Sequence, residues 1–180
     1  SRGHSVKIVA SGRAFHFLSQ AFPDVVEIAG LTLHYDNGAV NRERSLLHNV
    51  LLSPRMILDN ASAYFDEVRG FAPDLLISDF DSFAHLFARR HGLPVISIDN
   101  QQIIHRCKHD KEIQDGLERD FQTTKTFVKA KLPGCDHYLI TTFFFPKVRG
   151  KFAHNTTLVP PILRKAVLDV HPTRGDHVLV

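Results

Sequence analysis

Two carboxylates flank a phenylalanine at Asp79-Phe80-Asp81, directly after the apolar run Asp74-Leu75-Leu76-Ile77-Ser78. Side chains two residues apart share a face on an extended chain and diverge once a turn begins. On the extended reading, one carboxyl suits a general base toward a hydroxyl, its pKa raised by the other's charge. On the turn reading, Asp81 or Ser82 caps a following helix. Both remain open for Asp81, and Asp79 is the candidate base. Asp-x-Asp also occurs in metal sites, but one short pair assigns no metal here.

Other polar clusters also follow short apolar runs. Pro94-Val95-Ile96-Ser97-Ile98 leads into Asp99-Asn100-Gln101-Gln102, whose amides suit bidentate recognition of hydroxyl- or carbonyl-bearing ligands, and whose Asp and Asn equally suit a turn. Val6-Lys7-Ile8-Val9-Ala10 leads into Ser11-Gly12-Arg13. Gly permits close backbone approach there, Arg brings a fork of donors, and the competing reading is an ordinary Ser11 N-cap. His105 and His109 stand four apart around Cys107, at a spacing zinc could use. Arg106, Lys108 and Lys111 around them disfavour a cation. Gly-x-Ser-x-Gly, a complete phosphate loop and a dinucleotide fingerprint are all missing. So are an aromatic ribonucleoprotein-type strand and a basic recognition helix.

The elements that must position these groups alternate between strand and helix. Apolar runs of four to six residues suit strands buried on both faces, as in a parallel sheet covered by helices. In such sheets ligands sit beyond the carboxyl ends of the strands, which is where the polar clusters fall. The pattern predicts a strand at 6–10 and a helix at 12–21 with Phe15, Leu18 and Phe22 on one face. A strand at 25–29 and a polar loop turning at Asp36-Asn37-Gly38 come next. A long helical region at 42–69 carries Met56, Ala63 and Phe65 and ends at a Gly70 cap. Strand 74–78, helix 82–91 and strand 94–98 form a βαβ unit, with Phe83, Leu86 and Phe87 facing the sheet. A helix at 110–131, with Leu117, Phe121, Thr124 and Val128, precedes a strand at 138–145. Some of Phe143-Phe144-Phe145 should then be core, although an exposed Phe beside Lys147, Arg149 and Lys151 suits a membrane interface.

The 180 residues, 43% hydrophobic and 23% charged, suit a globular fold with a sizeable core. No apolar run approaches the roughly 18 residues needed to span a bilayer, and no leader peptide is visible. Cys107 and Cys135 form no CxxC pair and read as reduced thiols. Asn60-Ala61-Ser62 and Asn155-Thr156-Thr157 read as chance sequons. Charge is uneven, with eight basic residues and only Asp136 acidic from Lys125 to Lys165. That stretch could face an anionic partner such as lipid head groups or a nucleotide, or be a solvated basic surface. Helix-stop chemistry at Arg2-Gly3-His4 and a new strand at His177-Val178-Leu179-Val180 read as cuts at both ends of a longer protein.

Several of these segments follow one another in a familiar order. They are Arg2-Gly3-His4-x-Val6, Ser11-Gly12-Arg13-Ala14, the Gly30-Leu31-Thr32 to Asp36-Asn37-Gly38 loop, Ile77-Ser78-Asp79-Phe80-Asp81 and Ile98-Asp99-Asn100-Gln101. The chain resembles the amino-terminal half of prokaryotic GT-B glycosyltransferases, in a group distantly similar to the enzyme that forms lipid II from lipid I. The resemblance implies an α/β, Rossmann-like three-layer fold, a parallel sheet with helices on both faces, forming one of two domains across a cleft. Residues 1–158 would be the acceptor domain, and 159–180 a linker through Val159-Pro160-Pro161-Ile162 and the start of the nucleotide-sugar domain. It implies that Ser11, Gly12, Arg13, Asp79, Asp81, Asn100 and Gln101 line the acceptor side. A Gly-rich opening loop ending in His, often a catalytic residue in the family, falls outside this sequence. The implied partners are a nucleotide sugar and a hydroxyl acceptor, lipid-linked acceptors included, for a cytoplasmic protein that could sit peripherally at the inner face of the cell membrane, with no metal or other cofactor. The rivals are a non-enzymatic α/β binding module and a sugar-nucleotide epimerase.

Overall fold

The computed structural model describes residues 3–30, 35–36, 39–40, 60, 63–110, 112 and 115–171. The chain divides into two compact units, Ser1–Val95 and Ile96–Val180.

In the first unit, β1 (Ile8–Ala10) and β2 (Val25–Glu27) pair in parallel, with Ile8 opposite Val25 and Ala10 opposite Glu27. Parallel neighbours need a crossover, which α1 (Gly12–Leu18) supplies. The helix stops short of the predicted residue 21, and Phe22 is exposed. Lys7, beside β1, pairs with Asp24 at 2.8 Å and Glu67 at 3.1 Å. β3 (Tyr35–Asp36) and β4 (Ala39–Val40) pair antiparallel around the predicted turn, whose Asn37 and Gly38 lie outside the described residues. Most of the predicted 42–69 helix, including Met56, lies outside them too. Its end is a π-helical turn, Ala63–Val68, running into α2 (Arg69–Phe71). The stop is not Gly70 but Ala72, which takes the left-handed φ of 51°.

β5 (Leu76–Ser78) and α3 (Ser82–His91) match their predicted positions closely. Gly92, at φ 64°, returns its N–H to Ala88 and closes α3, a role that favours glycine. The helix is rotated from its predicted face. Ala84, His85, Phe87 and Ala88 are buried, while Leu86 is 65% exposed. Burial lowers the His85 pKa, with Arg89 adding to it.

In the second unit, β6 (Val95–Asp99), β7 (His137–Thr141) and β8 (Thr156–Val159) form a parallel ladder in that order. The connections are α4 (Gln102–Arg106), α5 (Glu118–Lys131) and a 3₁₀ segment, Gly150–Asn155. A short α6 (Lys165–Leu168) follows β8. Helix α5 starts eight residues later than predicted, after Gly116 at φ 73°, and Leu117 stays exposed. Burial along β6 and β7 alternates instead of being complete on both faces. Val128, Leu132, Cys135, Tyr138 and Ile140 form the core with Cys107, and burial raises both thiol pKa values. Tyr138 donates its hydroxyl to the Leu132 carbonyl at 2.7 Å and accepts the Cys135 N–H at 3.0 Å. Burial, the main cause, pushes that phenol up to about 12.

The predicted strand at 138–145 ends at Thr141. The Thr142 N–H still donates to Val159, but its hydroxyl donates to the Phe144 carbonyl at 2.6 Å and accepts the Phe144 N–H at 3.2 Å. This local clasp peels the chain off the ladder. Phe143, Phe144 and Phe145 are therefore 87%, 60% and 61% exposed, and none is core.

Candidate functional site

The tip of β5 is built on Ser78, whose side chain is almost fully buried. Its hydroxyl donates to the Asp81 carbonyl at 2.7 Å and accepts the Asp81 N–H at 3.0 Å. The turn this closes holds Phe80 at φ 53°. A bulky residue in the left-handed region costs of order 1 kcal/mol or more, and such strain concentrates at functional turns. The turn separates the two carboxylates. Asp81 turns into α3, its Oδ1 accepting the Phe83 N–H at 2.7 Å and the Ala84 N–H at 3.4 Å. Asp79 stays exposed at the tip, close enough to the protein for desolvation to raise its pKa. Burial, not the charge of Asp81, causes that shift. A carboxylate so placed can accept a proton from a hydroxyl presented to the tip.

The tips of β1 and β2 meet through a close approach. A Cβ on Gly30 would sit 2.1 Å from Ser11 Oγ and 2.7 Å from Ser11 Cβ, so only glycine fits. Asn60 fixes the same loop, accepting the Ala29 N–H at 2.7 Å and donating to the Ala29 carbonyl at 3.0 Å. Ser11 occupies the N-cap position of α1, but its side chain makes no capping bond. Gly12 follows at φ 52°, and Arg13 is exposed. The structure thus brings Ser11 to Gly30 and ties Asp81 to Ser78.

Asn100 and Gln101 belong to the second unit. Both are exposed, and the Gln101 carbonyl oxygen accepts the Asn100 N–H at 3.2 Å. Their neighbours are structural. Asp99 is buried, accepting the Ser97 hydroxyl and, at 2.9 Å, the Gln102 N–H. Gln102 is buried and donates to the Val128 carbonyl at 3.4 Å. Parallel pairing of Asp99 with Ile140 and of Thr141 with Val159 puts three strand tips on one edge. These are Asn100-Gln101, the exposed Phe143-Phe144 and Pro160-Pro161. An edge of this kind is where α/β sheets receive ligands.

Sequence reasoning missed Arg106. Its guanidinium is buried, donating from Nε to Thr156 Oγ1 at 2.8 Å and from a terminal nitrogen to Asn155 Oδ1. It lies 3.6 Å from the Tyr138 ring centre and 4.3 Å from that of Phe152. Two ring faces and neutral oxygens hold this cation. Burial lowers its pKa, yet an arginine remains charged. The available signal was the i, i+4 pair Gln102 and Arg106, two polar residues sharing a helix face. His109 bonds the Ile103 carbonyl at 2.9 Å, the His105 ring lies tilted at 54° beside that of Phe152 and Cys107 is buried. Among the described residues no group of three or more His, Cys, Asp or Glu is placed to hold a metal ion.

No helix among the described residues is long and apolar enough to cross a membrane. A search of curated proteins finds no match. A family model described as Glycosyl transferase family 1 matches residues 1–180. The parallel strands, the helices on both sides of the sheet and the polar strand tips are the Rossmann-like α/β arrangement that such a GT-B-type domain requires. With that match running from the first residue to the last, the chain belongs to glycosyl transferase family 1.

Proposed function

We propose that the chain is the acceptor-binding half of an enzyme that moves a sugar from a nucleotide-sugar donor to a hydroxyl acceptor. The observation that carries this reading is the β5 tip. It diverts Asp81 into capping α3 and leaves Asp79 exposed with a raised pKa. Asp79 removes the acceptor proton as the hydroxyl oxygen attacks the anomeric carbon. The bond from that carbon to the nucleoside diphosphate breaks, and the diphosphate leaves with the electron pair. Ser11, Gly12, Arg13, Asn100 and Gln101 are the acceptor-side groups, and Asp81 serves by fixing the tip. Residues 1–158 act as the acceptor domain, and Val159-Pro160-Pro161-Ile162 is the crossing into the nucleotide-sugar domain that begins within residues 159–180. No cofactor is needed beyond the donor.

The exposed Phe143-Phe144-Phe145 run supports an acceptor with an apolar chain, such as a lipid-linked one, met at the cytoplasmic membrane surface. The test is Asp79→Asn in the full-length natural protein, assayed for release of nucleoside diphosphate and for the glycosylated product. Removing a general base lowers kcat by about 10²- to 10⁴-fold, with KM little changed. An unchanged kcat sinks Asp79 as the base. An epimerised sugar nucleotide as product would replace transfer with epimerisation. Ligand binding without any turnover of nucleotide sugars would favour the binding module.

A further inference from the structure

The opposite end of the second unit's sheet gathers several cationic side chains. Phe152, on the 3₁₀ segment before β8, is its centre. The His105 ring lies 4.9 Å from the Phe152 ring, and Lys151 Nζ lies 4.9 Å from the same centroid. Arg149 is anchored beside them, its Nε donating to the Cys107 carbonyl and its backbone N–H to the Arg106 carbonyl, both at 2.9 Å. Lys125 and Lys129 stand one turn apart on α5, which packs on α4 through Gln102–Val128 and the His109–Phe121 ring pair. Among the described residues, no carboxylate pairs with Lys125, Lys129, Arg149 or Lys151.

These groups sense one another. Desolvation and the charges of Arg149 and Lys151 lower the Lys125 pKa. The charged groups acting on His105 are Arg106, Lys129, Lys151 and Arg149, all cationic. Its Nδ1 is buried without a hydrogen-bond partner. Buried Arg106, held by neutral oxygens and rings, adds to the same field. Like charges held together cost stability that a bound anion recovers. A phosphoryl group suits this set better than a carboxylate. It carries up to two charges and three terminal oxygens, enough for an arginine fork and several ammonium groups at once.

We propose that Lys125, Lys129, Arg149 and Lys151, arrayed around His105 and Phe152, form a binding site for a phosphoryl anion. Within the second unit the site is separate from the Asn100-Gln101 tip, because it gathers at the ends where β7 and β8 begin and the tip follows β6 at the other end of the ladder. The anion could be a lipid phosphomonoester headgroup or a soluble phosphate or diphosphate, and the shared chemistry is the phosphoryl oxygens.

The test uses the full-length protein with inorganic pyrophosphate in one arm. The other arm uses phosphatidylcholine vesicles with and without phosphatidic acid. NMR of the His105 ring reads occupancy, because a bound anion moves its titration midpoint upward. The double variants Arg149→Gln/Lys151→Gln and Lys125→Gln/Lys129→Gln should each weaken binding at least about tenfold. The charge-matched Arg89→Gln/Arg90→Gln control in the first unit should change it less than about twofold. Saturable pyrophosphate binding with this pattern supports a soluble phosphate. The same pattern confined to phosphatidic acid vesicles supports a headgroup. Binding in neither arm, or equal loss in the control, overturns the proposal.

Discussion

Acidification should weaken the second unit through His105, by an amount that follows from its surroundings. Burial first, and then Arg106, Lys129, Lys151 and Arg149, lower the imidazole pKa from 6.5 to about 4. The unfolded chain therefore takes up a proton that the folded chain refuses. The sign follows directly: stability is fully present above the unfolded pKa and falls as pH drops from 6.5 toward 4. The linkage integral gives a loss of about 2 kcal/mol by about pH 5 and about 3 kcal/mol near pH 4. Both are upper figures, since the ring is only partly buried. His105→Phe removes the titration, keeps a ring against Phe152 and sacrifices no hydrogen bond of Nδ1. Urea unfolding read on the β7 amide signals of both proteins isolates the difference. The shifts at His85 and Asp79 occur in both and cancel. Parallel stability curves, or a His105 NMR midpoint near the ordinary value, would refute the reasoning.

Gly30→Ala should destabilise the first unit by about 1–3 kcal/mol through overpacking. Ser11→Gly in the same chain should restore most of that, as a double-mutant cycle in thermal melts will show. Asp81→Ala should cost about 1 kcal/mol in chemical unfolding by removing the α3 cap, whereas Asp81→Asn should cost only a few tenths. Because Asp79 is raised by desolvation, the acid limb of kcat/KM should lie above that of an ordinary carboxylate. Activity is then lost on acidification sooner, and Asp79→Asn should abolish that limb in a pH–rate profile.

The features that sequence revealed are mostly local ones. The Asp81 cap and the extent of the helix at 82–91 depend on bonds spanning a few residues. The order of polar strand tips was legible because apolar runs and turn residues alternate along the chain. What depends on distant partners was not. Nothing near Gly30 announces that Ser11 will pack on it, and Asn60 read as part of a chance sequon while it clamps Ala29. The rotation of α3 that buries His85 in place of Leu86 is set by tertiary packing, which periodicity locates only to within a residue or two. Phe80 takes a left-handed conformation that no glycine marks. Arg106 was read by its charge alone, because the rings of Tyr138 and Phe152 reach it from 32 and 46 positions away.

The Thr142 clasp carries a consequence for solubility. A run of three exposed phenylalanines has the composition of an aggregating β-segment, ready to template on another chain. Next in sequence come Pro146, which has no N–H to offer a growing ladder, and then Lys147. A proline and a charge beside an unavoidable apolar stretch are gatekeepers against edge-to-edge pairing. Replacing both would leave the fold's bonds at Thr142 in place and remove the protection, so the chain would remain folded and yet precipitate from concentrated solution.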